Sequence, residues 1–151
     1  MRRKDRAISS QEAWRILTNG EHGVLSTASL QGIPYGVPLN YCVLDGAVYF
    51  HCAPAGRKTD QILANPRVSF CVVGHACPLP ESFSTCYESI ILSGEAREVF
   101  GPEKQSALQG LVAKYAPDHI ENGLEHINQH ASHTRVFKLT IHSINGKANR
   151  A

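Results

Sequence analysis

Between Ile33 and Val43 an apolar residue stands at every second position. Ile33, Tyr35, Val37, Leu39, Tyr41 and Val43 alternate with Pro34, Gly36, Pro38, Asn40 and Cys42. Successive side chains of a strand point to opposite faces, so this period predicts one long half-buried β-strand over residues 33–43. Proline has no N–H for a ladder, which restricts such a strand to a sheet edge or to bulged positions. Asp45-Gly46 is a hairpin-turn pair, and it leads into a second alternating run, AVYFHCA (residues 47–53). The front half of the chain is therefore an antiparallel meander.

The remaining punctuation extends that plan. Ser9 and Glu12 stand at the S-x-x-E spacing of a capping box before a short amphipathic helix, which Asn19-Gly20 ends. GVLSTAS is a strand and QGIP a turn. A helix follows residue 56 and closes before Asn65-Pro66, because the residue ahead of a proline is pushed out of the α region. RVSFCVVG is the next strand, HACPLPES a loop, and STCYESIILSGEAREVF a strand in which Gly94 marks a bulge or bend. Gly101-Pro102 opens a helix to about Tyr115, with Ala107, Leu108, Leu111, Val112 and Tyr115 as its apolar stripe. IENGLEHINQHAS gives a further helix or irregular helical turns. TRVFKLTIHSI is the closing strand, with Phe137, Leu139 and Ile141 on one face, and NGKANRA trails away. Many short strands between turn signals favour a closed or nearly closed antiparallel barrel over a parallel sheet.

Charge and cysteine usage exclude some functions. With 151 residues the chain is one domain, 1–151, and 15 basic against 13 acidic residues offer no bulk charge for nucleic acid. MRRKDR is basic but is followed by AISSQEAW rather than an apolar segment, so no secretory signal or membrane span is expected. Five cysteines at irregular spacing imply reduced thiols and a cytoplasmic protein. Cys71, His75, Cys77 and Cys86 lack the paired knuckles of a zinc site. His126 and His130 share a helix face, yet no H-E-x-x-H accompanies them, which leaves a solvated polar face and no metal ligand.

One local arrangement runs against expectation. Arg57 and Lys58 follow Gly56 at the start of a helix, whose N-terminal end is already positive. A helix N-terminus with free N–H groups is an anion site, and two cations there suit a phosphate; the alternative is a solvated surface pair.

The ordered motifs GVLST, G-x-P-Y-G-V-P-L-N-Y, YFHCA, GRK, NPRVSF and YESIILSGEA resemble the FMN-binding split-barrel flavoproteins of the pyridoxamine 5'-phosphate oxidase-like superfamily, nearest the nitroimidazole-reductase branch. The resemblance covers the chain from the first helix to the closing strand. It implies a mainly β, α+β fold: a six-stranded antiparallel split barrel with peripheral helices, forming a homodimer with FMN at the interface. It also implies that Arg57 and Lys58 hold the FMN phosphate, that Phe50, His51 and Cys52 run beside the isoalloxazine, and that Pro38, Leu39, Asn40 and Tyr41 lie along the ring and ribityl chain. That branch carries a histidine near the flavin at the place of His51, which makes His51 the candidate for proton relay.

The implied activity is FMN-dependent reduction of nitro compounds or similar small electron acceptors; the alternative is a non-catalytic flavin- or haem-binding module. Relatives on this barrel also take F420 or haem. Pyridoxamine phosphate oxidases close with a segment rich in tryptophan and arginine, whereas Trp14 is the one tryptophan here, so that oxidation is not expected.

Overall fold

The Ser9 hydroxyl accepts the Glu12 N–H at 3.2 Å, and the Glu12 carboxylate accepts the Ser9 N–H at 3.1 Å. This reciprocal capping box starts helix α1 (Ser10–Asn19), which turns Ala13, Ile16 and Leu17 into the main core. The computed structural model describes residues 3–150; Met1 and Arg2 of the basic MRRKDR stretch, and Ala151 of the trailing NGKANRA, lie outside the described residues. After α1 come strands β1 (Gly23–Ala28), β2 (Pro34–Leu39), β3 (Cys42–Leu44) and β4 (Ala47–Cys52), then helix α2 (Arg57–Ala64). Strands β5 (Arg67–Leu79) and β6 (Ser84–Val99), helices α3 (Gly101–Tyr115) and α4 (Ile120–His130), and strand β7 (Arg135–Asn149) complete the chain.

All pairings are antiparallel in one sheet of order β2-β1-β5-β6-β7-β4-β3. The two outermost strands, β2 and β3, are consecutive in the chain and separated only by Asn40 and Tyr41. Leu39 and Cys42 are three residue steps apart, at most about 11 Å, so the sheet has to curl until its two edges come close at this point. The product is a split barrel.

It has seven strands rather than six, because the run over residues 33–43 is two strands on opposite edges. Tyr41 breaks it. Its side chain is fully buried, with the hydroxyl donating to the Leu17 carbonyl. Its backbone N–H donates to the Tyr115 hydroxyl at 3.0 Å, and its carbonyl oxygen lies 3.0 Å from the same hydroxyl. A side chain thus supplies the hydrogen bonds that a neighbouring strand would otherwise make.

Two further expectations are corrected by strand pairing. The stretch HACPLPES is not a loop: β5 bulges between Val73 and Ala76 and then continues opposite β6 to Leu79, leaving only Pro80–Ser82 as a 3-10 turn. The bulge changes which face each residue takes, and that erases the period in the sequence. The chain also does not trail off after Ile144, since β7 keeps pairing with β6 through Asn149. Gly94 does mark an irregularity. The β6–β7 register shifts between Ser93 and Gly94, where a Cβ would sit 1.9 Å from the Thr140 carbonyl oxygen. Asp45 and Gly46 both take positive φ, the condition for a type I′ hairpin.

Strand β4 is covered on both faces. Val48 and Phe50 face the main core, while Ala47 and Tyr49 face a second core that α3 and α4 build with Ala107, Leu108, Leu111 and Ile127. Among the described residues no helix is long and apolar enough to cross a membrane.

Replacing Tyr115 with Phe leaves the buried Tyr41 N–H without its acceptor. An unsatisfied buried donor costs about 1–3 kcal/mol, so the urea midpoint should fall with an unchanged slope. An unmoved midpoint would show that the crossing does not depend on that hydroxyl.

Candidate functional site at the α2 N-terminus

Helix α2 is seated by buried polar groups. The Thr27 hydroxyl donates to the Gln61 side-chain carbonyl, whose amide donates to the Ile33 carbonyl at 3.3 Å. Asn65 donates to the Ala28 carbonyl at 3.2 Å, and Ile62 enters the main core. Thr59 is buried, with its hydroxyl 3.4 Å from the Cys52 thiol. The loop before the helix is braced from β7: Arg135 donates to the Pro54 carbonyl at 3.2 Å and is itself held by an ion pair with Glu98.

The N-terminal end of α2 is open. Gly56 has φ +146, a conformation that side chains resist, and offers no capping side chain. The first helical bond runs from the Asp60 N–H to the Gly56 carbonyl at 3.0 Å, so the N–H groups of Arg57, Lys58 and Thr59 precede the ladder. The Arg57 guanidinium lies 4.7 Å over the Tyr35 ring, and the Lys58 ammonium 5.9 Å over the Phe50 ring. Neither cation forms an ion pair with a carboxylate among the described residues. Two cations without carboxylate partners beside three free donors are a group of donors chemically suited to an anion.

The other predicted site residues separate into groups. Cys52 borders the α2 N-terminus through Thr59. Pro38 and Asn40 are exposed and Leu39 half-buried, along the β2 edge that starts at Tyr35 beneath Arg57. Burial corrects two expectations. Tyr41 and Phe50 have no exposed surface and serve the core, so their side chains are withdrawn from direct contact with a ligand. Tyr35, Thr59 and the Arg135–Glu98 brace are absent from the sequence prediction. Only the alternation that places Tyr35 on the half-buried face of β2 hints at any of them.

His51 turns to the opposite face of β4. It lines a hollow of about 150 Å³ with Leu108, Leu111, Ile127, His126 and His130. The His126 and His130 rings are exposed at its rim and stack 4.2 Å apart, and the His130 Nδ1 lies 3.0 Å from the His126 carbonyl oxygen. His51 keeps exposed surface, but the side chains packed around its imidazole displace much of the surrounding water. That desolvation, and then the Lys58 cation, push its pKa below the usual 6.5. The neutral imidazole therefore prevails at pH 7. The sign follows: the unfolded chain protonates first as pH falls, so this contribution to stability is present above pH 6.5 and is lost below it.

Residues 9–148 match the family model described as pyridoxamine 5'-phosphate oxidase. Solved structures share the fold. A candidate 5-nitroimidazole antibiotic resistance protein from Bacteroides thetaiotaomicron is 21% identical, with 93% of this chain and 85% of that one covered and a TM-score of 0.76. A FAD-binding protein from Mesorhizobium loti is 26% identical, with coverage of 95% and 97% and a TM-score of 0.68. A flavocytochrome from Azotobacter vinelandii is 18% identical, with coverage of 100% and 72% and a TM-score of 0.81. No curated protein sequence matches the chain.

Lys58→Met removes the nearby cation while keeping a long apolar stem. The His51 midpoint in a proton NMR titration should rise toward 6.5 without reaching it, because desolvation is the larger cause and remains. A midpoint that does not move would exclude coupling between the two residues.

Proposed function

The chain belongs to the pyridoxamine 5'-phosphate oxidase family, and on that premise we propose that it binds FMN and acts as an oxidoreductase on nitro compounds or similar small electron acceptors. The observation that carries this reading is the α2 N-terminus, with three free N–H groups and two cations that lack carboxylate partners among the described residues. That donor set suits the dianionic phosphate of a mononucleotide. Bound flavin would supply two-electron redox chemistry. This chain's residues would do the rest: Arg57 and Lys58 hold the phosphate, Gly56 lets it approach the backbone, and the β2 edge from Tyr35 toward Asn40 offers a path for the remainder of the ligand. His51, neutral at pH 7, is the candidate proton relay from the far side of β4.

A homodimer fits the same reading. Val24, Cys71 and Ile91 form one row across β1, β5 and β6, and Val24, Ile91 and neighbouring Val73 are exposed on that face. A large exposed apolar row suits a second copy. The alternative, a haem-binding module, draws on the stacked His126–His130 pair. Its hollow of about 150 Å³ is smaller than the roughly 300 Å³ at which small-molecule pockets begin, so haem would require it to open. A visible spectrum separates the two, since a Soret band lost on changing His126 would move the assignment to haem. Purified protein loaded with FMN, reduced and then mixed with a nitro compound, should reoxidise; failure to take up FMN would sink the reading.

Replacing both Arg57 and Lys58 with alanine should weaken FMN binding far more than riboflavin binding. Charge-assisted hydrogen bonds contribute about 1.5–3 kcal/mol each, and about 1.4 kcal/mol is a factor of ten, so the loss for FMN should reach roughly two orders of magnitude or more. Fluorescence titration with both ligands reads this directly. Equal losses would mean that the loop at Gly56 has collapsed rather than that phosphate recognition is gone.

A further inference from the structure

Cys77 and Cys86 stand directly opposite each other in the β5–β6 ladder, one on each side of the 3-10 turn at Pro80–Ser82. Both are free thiols; Cys77 is exposed and Cys86 half-buried. Opposed residues of an antiparallel pair have Cα atoms about 4.5 or 5.5 Å apart. Both values fall inside the roughly 4.4–6.8 Å that a disulfide spans, and opposed side chains share a face of the sheet. Cys86 has the strand parity of Glu88 and Ile90, and Glu88 pairs with Arg15 of α1. The two thiols therefore lie on the α1 side, away from the Val24, Cys71 and Ile91 row.

We propose that Cys77 and Cys86 are a redox modification site, a cross-strand dithiol that closes to a disulfide with a low-molecular-weight disulfide as oxidant. The exposed Cys77 loses its proton and attacks one sulfur of the small disulfide, breaking that S–S bond and releasing one thiol. Cys86 then attacks the Cys77 sulfur of the mixed disulfide and releases the second thiol. One S–S bond forms in the protein at the expense of two S–H bonds, and the two electrons reduce the small disulfide to two thiols. The bond would clamp the strands that flank the turn, whose neighbour Phe83 is 99% exposed with φ +48. The other cysteines are placed differently. Cys42 is buried and held to about pH 11 by desolvation, Cys71 is raised by desolvation as well, and Cys52 lies against Thr59.

The test is equilibration of the full chain with glutathione disulfide and reduced glutathione at several ratios, followed by thiol counting and peptide mass mapping. Two of the five thiols should disappear together, leaving one peptide link between Cys77 and Cys86, no bound glutathione, and monomeric mobility on a non-reducing denaturing gel. The oxidised fraction should not depend on protein concentration. Cys86→Ser should stop the reaction at one glutathione on Cys77, and Cys71→Ser should change nothing. Five persistent thiols, separate glutathiones on Cys77 and Cys86 of the unmutated chain, a bridge involving another cysteine, or a link between two chains would each overturn the proposal. The mapping needs no substitution, so a poorly folding variant cannot obscure the result.

Discussion

The passage of the chain from one edge of the sheet to the other at Asn40 and Tyr41 is the constraint on which the architecture depends. Strand twist coils any sheet of this size, but bringing its two edges together takes a connection that holds them. Here the holding groups converge on one residue. The Tyr41 ring is buried against Phe70, its hydroxyl is bonded to the end of α1, and its backbone is bonded to Tyr115 at the end of α3. Lys114 adds its ammonium 3.8 Å over the same ring while donating to the Gly20 carbonyl at 2.7 Å. Burial lowers the Lys114 pKa, yet these contacts use its charge rather than leaving it idle. Two helices and both sheet edges are thus tied at a single point.

From that closure follows the placement of α2. With β2 at one edge beside β1, the buried Thr27–Gln61 bond and the Asn65–Ala28 bond can anchor the helix across the end of that hairpin. The helix N-terminus then faces out over Tyr35 with its donors free. Polar contacts in the buried seat anchor the helix that carries Arg57 and Lys58, and among the described residues neither cation has a carboxylate partner. The helix dipole opposes cations at this end, and in the protein alone the contacts that offset it are the Tyr35 ring under Arg57 and the Phe50 ring near Lys58. The same strand, β4, brings His51 close enough for Lys58 to lower its pKa, although the imidazole occupies a different hollow.

Much of this was legible in local sequence. The S-x-x-E spacing, the Asp45-Gly46 turn, the Gly101-Pro102 helix start and the irregularity at Gly94 all report conformations that the residues themselves impose. Misreadings arose where a long-range partner overrode local pattern. A bulge at Val73 to Ala76 reversed the parity of β5, and β6 then supplied partners to a stretch that looks like loop. Polar Asn145, Gly146 and Lys147 form strand because β6 extends beside them, not because of their own preferences.

By itself the sequence determined the antiparallel character of the sheet, the ends of the main helices, and the conjunction of Gly56, Arg57 and Lys58 at a helix start, since each depends on neighbours within a few residues. Tertiary structure alone decided that residues 33–43 are two strands rather than one, because Tyr41 takes its hydrogen bonds from Tyr115, more than seventy residues away. It also decided that Phe50 and Tyr41 belong to the core while Tyr35 lies under Arg57, and that Cys77 faces Cys86. Periodicity specifies that a residue has a face. Only the pairing of distant strands specifies what that face meets.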